Sequence, residues 1–296
     1  MKKIILSFIL AFLVVGGTFA QSTTNEKAKT DNSPVNSPWD SEVLIDNQTT
    51  LDAPAKTLEA FIQHRFGLVN TNEIHDLYGI YAPGANVRLA INYTPIKHLT
   101  IGYGITKTNM YSDFSAKYIV FRQTKSNSIP VAVALYGDFA VDGRPNVDFG
   151  TAYKFGNRYS YFGQLIVSRK FCNYFSLEAT GNFTHYNSVP VGGNHDNIGV
   201  GVAGQIKFTT ESSIIFQYDV PLKIQSISEE TSFTDANSAK PNFGFGYQVE
   251  TAGHSFQIYI TTASGILPQD IYMNNHNDWT KGDLMLGFTI TRLWNF

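Results

Sequence analysis

The chain has 296 residues with 22 basic and 24 acidic side chains, and its net charge of −2 excludes the broad basic field of a nucleic-acid-binding protein. Its one cysteine, Cys172, excludes an intrachain disulfide and a thiolate zinc cluster. Aromatic residues make up 14% of the chain and mean hydropathy is −0.12, a value that does not argue against a membrane protein whose lipid-facing and lumen-facing residues alternate.

Lys2 and Lys3 precede an apolar run from Ile4 to Val15, followed by Gly16, Gly17 and the small-residue site Thr18-Phe19-Ala20. This is the pattern of a secretory signal peptide, residues 1–20, cleaved after Ala20. The run is shorter than the roughly 20 residues a spanning helix needs, and no second long apolar run follows, which excludes a helical membrane protein. Residues 21–57 are rich in Ser, Thr, Asn, Asp and Lys, with Pro34 and Pro38, and hold no sustained periodicity. They are expected to form a disordered periplasmic segment.

From Leu58 to Phe296 the period is 2, the signal of strands with two unlike faces. Val87, Leu89, Ile91 and Tyr93 alternate with Arg88, Ala90 and Asn92; Leu99, Ile101, Tyr103 and Ile105 alternate with Thr100, Gly102, Gly104 and Thr106. Phe175, Leu177, Ala179 and Phe183 oppose Ser176, Glu178, Thr180 and Asn182, and Phe243, Phe245, Tyr247 and Val249 oppose Asn242, Gln248 and Glu250. Strands are predicted at 58–68, 85–94, 98–107, 112–122, 129–141, 158–170, 174–186, 197–209, 213–222, 242–250, 254–263 and 283–296.

Connections at 69–84, 142–157, 187–196, 223–241 and 264–282 are long, whereas those at 95–97, 123–128, 171–173, 210–212 and 251–253 are short. All long ones fall on one side, where only the loop near Asn109 is short. An even number of strands near the 9–11 residues that cross a bilayer obliquely, with short turns on one side, predicts an all-β, antiparallel, up-and-down transmembrane barrel of about twelve strands. The aromatic content fits its interfacial girdles. The last strand places Leu284, Leu286, Phe288, Ile290, Trp294 and terminal Phe296 on one parity, interrupted by Arg292, and resembles the strand by which barrel-assembly machinery recognises outer-membrane proteins. That machinery and outer-membrane lipid are the expected partners, with a periplasmic or surface partner left open and nucleic acid excluded.

The stretches Phe61–Gly67 (FIQHRFG), Tyr78–Asn86 (YGIYAPGAN), Gly102–Asp113 (GYGITKTNMYSD) and Gly253–Tyr259 (GHSFQIY) resemble an uncharacterised outer-membrane β-barrel family common in Bacteroidetes. The resemblance implies the fold and a Gram-negative outer-membrane location, and supplies no activity or catalytic residue.

With the apolar parity toward lipid, eleven charges fall on the lumen parity: Glu59, Arg65, Arg88, Asp113, Lys117, Asp138, Lys170, Glu178, Lys207, Asp219 and Glu250. This balanced set predicts no ion preference, and leaves open whether the lumen conducts or is closed by charges pairing across it. Tyr78, Tyr81, Pro83 and Gly84 are a candidate inward-folded constriction, against the plainer reading of an aromatic-rich loop. The chain has no G-x-S-x-G or H-E-x-x-H motif. His64 and His254 are candidate general bases without an identifiable nucleophile, and imidazole at a strand end more often serves as an interfacial anchor. Gly192–Asp196 and Asn274–Asp278 offer oxygen and imidazole donors without the EF-hand spacing, and the same residues are what turns require. The reading that follows is a non-enzymatic, cofactor-free, porin-like outer-membrane channel. Its alternatives are a closed binding barrel whose loops 223–241 and 264–282 engage a surface partner, and an outer-membrane hydrolase.

Overall fold

The computed structural model describes residues 31–69, 74–230, 232–234 and 237–296. Strands β3 (Thr57–Leu68), β4 (Asn86–Ile96), β5 (Leu99–Thr106), β6 (Ser112–Phe121), β7 (Ala132–Val141), β8 (Tyr159–Lys170), β9 (Phe175–Tyr186), β10 (Asp196–Lys207), β11 (Ser212–Leu222), β12 (Asn242–Thr251), β13 (His254–Thr261) and β14 (Met285–Asn295) form one closed barrel. Each pairs antiparallel with its sequence neighbours, and β14 closes on β3 with Phe288 opposite His64 and Trp294 opposite Leu58. Closure leaves no strand edge unpaired, the condition for a sheet to cross hydrocarbon.

The two faces of the wall are those of a barrel turned inside out relative to a soluble one. Ile62, Leu89, Ile91, Tyr103, Phe114, Leu135, Leu165, Phe183, Phe245 and Ile258 lie on the outer surface, each more than a third exposed. Gln63, Arg65, Asp113, Ser168, Glu178, Gln217, Gln248 and Thr289 are buried inside. An uncovered apolar band around a polar interior is stable only against lipid, where each square ångström removed from water contributes about 25 cal/mol.

Residues 31–57 correct the expectation of disorder; residues 1–30, including the proposed signal peptide, lie outside the described residues. Residues 31–35 run along the short-turn rim, bridged antiparallel to the 122–131 connection at Pro34 and Thr124, with Val35 N donating to Gln123 O (2.9 Å) and Lys125 N to Ser33 O (3.0 Å). That connection is correspondingly longer than the expected 123–128. The chain then enters the barrel as a hairpin of β1 (Val43–Leu44) and β2 (Asn47–Gln48), with Ile45 and Asp46 at its tip and Ile45 in the left-handed region at φ 57°. A hairpin this short cannot bury a core of its own, and the lumen supplies one: Trp39, Leu44 and Ile45 pack on Ala203, Ile215 and Tyr259.

From the opposite, long-loop rim the 262–284 connection folds inward and carries helix α1 (Pro268–Asn274), with Pro268 at its first turn, where no backbone N–H is required. Ile271 and Tyr272 pack on Ile119, Tyr136, Phe162 and Ile166. Tyr78 and Tyr81 are 71% and 73% exposed, so the first long loop does not provide the constriction; the last one does.

Candidate functional site

The candidate site is the lumen, filled from both rims. Of the eleven charges placed there from sequence, Glu59, Arg65, Arg88, Asp113, Lys117, Asp138, Glu178 and Asp219 are buried, and Lys170, Lys207 and Glu250 are half-buried near the short-turn rim. Among the described residues, one ion pair joins two members of this set, Arg88 with Asp113, and Arg88 Nη1 also donates to Gln63 Oε1 (3.0 Å). The other engaged members face the two inserted segments rather than one another, so closure by pairing across the lumen is not how the interior is filled.

The hairpin carries three carboxylates at increasing depth, and each meets a wall cation. Asp40, at the rim, pairs with Lys207 (2.5 Å) and accepts from Gln205 Nε2 (2.7 Å). Glu42 pairs with Lys117 (3.5 Å) and accepts from Asn92 Nδ2 (3.3 Å). Asp46, at the tip, pairs with Arg65 and accepts from Gln217 Nε2 (2.6 Å) and Asn242 Nδ2 (3.0 Å). Wall amides also satisfy the hairpin backbone: Ile45 N donates to Gln257 Oε1 (3.1 Å), Asp46 N to Gln217 Oε1 (2.9 Å), and Gln257 Nε2 to Val43 O (2.7 Å). The long amides Gln217 and Gln257 thus do for the turn what a neighbouring strand would do.

The inserted helix is held from the same wall. Tyr272 OH donates to Asp219 Oδ1 (3.0 Å) and Gln269 Nε2 to Asp138 Oδ1 (2.5 Å). Arg65 Nη1 donates to Ala263 O (2.7 Å) and to Gly265 O. Arg65 and Asp219, the latter also accepting from Asn47 Nδ2 (3.0 Å), therefore touch both the hairpin and the 262–284 insert. A Cβ on Gly199 would collide with the Tyr272 ring, so glycine is what lets β10 accept the helix.

Above α1, toward the long loops, lies a cleft of about 850 Å³ lined by Tyr111, Asp142, Arg144, Arg158, Tyr186 and Asp270. Its wall is ordered by Arg158, which donates to the carbonyls of Asp142 and Arg144 (both 2.6 Å) and lies over the Phe149 ring (4.8 Å). Asp270, on α1, forms the floor and accepts from Tyr186 OH (2.9 Å) and Tyr111 OH (3.3 Å); burial pushes its carboxyl above the ordinary range.

The remaining sequence candidates have other roles. His64 stacks on Phe288 (5.1 Å, 4°), and His254 faces Arg292 Nη1 (2.9 Å) at the short-turn rim, so the two are not brought together. Asn194 Oδ1 accepts from Ser228 Oγ (2.7 Å) and Glu229 N (3.0 Å), tying two outer loops. Asp278 caps the single turn Trp279–Lys281 by accepting from Thr280 N (3.0 Å). Among the described residues no group of three or more His, Cys, Asp or Glu is arranged to hold a metal.

Sequence reasoning missed Asp40, Glu42, Asp46, Gln269, Asp270 and Tyr272, all of which lie in segments read as linker or loop. A signal was present: Phe61, Tyr136, Phe162, Ile166 and Ile215 are large apolar residues on the inward parity, which a purely aqueous lumen would not call for.

Residues 39–294 match a family described as a membrane bound beta barrel domain, DUF5777. Among solved structures, the chain is similar to the COG4313 outer membrane channel from Pseudomonas putida F1, at 11% identity and TM-score 0.52, covering 82% of this chain and 96% of that one. The NanC porin follows at 9% identity and TM-score 0.48, covering 81% and 99%, and the KdgM porin at 7% and 0.44, also covering 81% and 99%. No curated protein matches. At 11% identity the likeness to the COG4313 channel shows the barrel fold alone.

Proposed function

Because the chain belongs to this family of membrane-bound β-barrel domains, we propose that it is a non-enzymatic outer-membrane channel for small polar solutes, closed in the state described by its own hairpin and helix α1. One observation carries this reading: the hairpin is joined to the wall chiefly by side-chain hydrogen bonds and ion pairs that water or a polar solute can replace. Its apolar seat, by contrast, is confined to Trp39, Leu44, Ile45 and their few partners. A wall that needed only to be filled would carry apolar residues at nearly every inward position, as soluble barrels do, whereas here Gln63, Arg65, Asp113, Glu178, Gln217 and Gln248 stand among the few apolar ones. The COG4313 protein, an outer membrane channel, has the same kind of barrel, which supports the reading by analogy alone.

The short-turn rim is then periplasmic and the long loops face outward. β14, with Trp294 and the following Phe296 exposed, is the segment through which assembly machinery would recognise the chain. Liposome swelling tests the function: proteoliposomes holding a variant with the hairpin released should swell in small sugars faster than those holding the wild-type chain. Equal swelling would reject hairpin gating.

The filled lumen and the cleft of about 850 Å³ favour a second reading, a closed barrel that binds a partner through its outer loops. Deleting residues 223–241 should abolish such binding while sparing the barrel.

A further inference from the structure

The hairpin places three carboxylates on three cations of the wall: Asp40 on Lys207 at the rim, Glu42 on Lys117 deeper in, and Asp46 on Arg65 deepest. Each carboxylate is also met by at least one amide donor, from Gln205, Asn92, or Gln217 and Asn242. Lys117 and Arg65 have side chains 3% and 0% exposed, so these cations are desolvated and, with the hairpin gone, would lack the counter-charges seen here. A cation plus an amide donor is the recognition chemistry of a carboxylate.

We propose that the three positions form a carboxylate-binding track, and that the hairpin occupies it in place of a solute bearing several carboxylates. This rests on the channel reading above. Net charge does not set the preference, because Glu59, Glu178 and Glu250 also lie on the wall; the preference comes from which groups the hairpin covers. Glu178 is fully buried and, among the described residues, accepts no hydrogen bond, whereas the hairpin carboxylates are the groups at ion-pair distance from Lys117, Arg65 and Lys207. Covering by an acidic segment also explains why a wall of nearly balanced charge has so few internal pairs: Lys117, Arg65 and Lys207 are engaged by the hairpin instead.

The test uses the full chain with Asp40→Asn, Glu42→Gln and Asp46→Asn together, incorporated in planar bilayers, with citrate and spermine as probes. Citrate should block this variant, and adding Lys117→Gln and Lys207→Gln should raise the half-blocking concentration by about tenfold or more for the lost charge-assisted contacts. Block by spermine in preference to citrate, or citrate block unchanged by the lysine substitutions, would overturn the track while leaving the channel standing. A variant that is folded, with its hairpin free by hydrogen exchange, yet does not conduct, would instead reject the channel; citrate binding by calorimetry then decides the track, and its absence overturns it. If the triple variant fails to fold, Asp40→Asn alone, at the half-buried end, should gain citrate binding that Lys207→Gln removes, and no gain would count against the track.

Discussion

The Asp46 carboxylate and the Arg65 guanidinium form an ion pair with side chains 1% and 0% exposed, at the level where the hairpin from one rim meets the insert from the other. Arg65 reaches the carbonyls of Ala263 and Gly265 with the same guanidinium, so one side chain fixes both closures. Removing one partner of such a pair leaves a buried charge uncompensated, at a cost of about 3–5 kcal/mol. Asp46→Asn is therefore expected to free residues 39–50 while the barrel, held by its backbone ladder, persists. Hydrogen exchange should show lost protection in the hairpin and retained protection in β3–β14.

Trp39 is the apolar counterpart of that pair. Its ring packs in the cluster of Leu44, Ile45, Ala203, Ile215 and Tyr259, and its Nε1 donates to Thr50 Oγ1 (3.2 Å). Trp39→Ala should weaken hairpin docking by about 3–5 kcal/mol, the usual range for a large aromatic truncated in a packed site. The check is a lower urea midpoint for hairpin release, with the heat-modifiable gel mobility of the folded barrel unchanged.

The barrel was legible because its physics is local and repeated. Each strand must present one face to lipid and one to the interior, and that writes a period of 2 into Val87–Tyr93 or Phe175–Phe183; every strand of the barrel begins within a few residues of its expected start. The plug was not legible because residues 39–53 bury too little against themselves to hold a fold of their own. Their polar composition is what disorder looks like when the partner groups Gln217 and Gln257 lie 171 and 212 residues away in the chain. The inward charges were placed by parity alone; their partners were not, since parity gives the face of a residue and not what the chain later inserts there.

Gly199 and Tyr272 give a steric prediction. Val at position 199 would push branched atoms into the ring that seats α1, with overpacking costs of about 1–3 kcal/mol. Gly199→Val should dislodge α1 without freeing the hairpin, read as exchange confined to residues 262–284.

Asp270 makes the same helix sensitive to pH. Burial raises its carboxyl pKa in the docked state, opposed by donation from Asn274, Tyr186 and Tyr111, while Asp142 raises it further. The docked helix thus holds the proton more tightly than the released one, so docking is strongest below the ordinary carboxylate range and is lost as pH rises through the docked value. Protection factors over residues 268–274 should fall from acid toward neutral pH, and Asp270→Asn should flatten that dependence.

The outward parity is tested by Ile91, 52% exposed in the middle of β4. Ile91→Arg should lower the free energy of folding into liposomes by about 2–4 kcal/mol, the cost of a guanidinium near the bilayer midplane. A loss near zero would place Ile91 against water.

Single-channel recording of the full-length chain beside its Asp46→Asn variant tests most directly that a polar lumen lies shut behind residues 39–53. The expected result is a wild-type barrel that is quiet or opens rarely and a variant with long, frequent openings. Two equally silent proteins, with the hairpin demonstrably out of the variant's lumen, would contradict it.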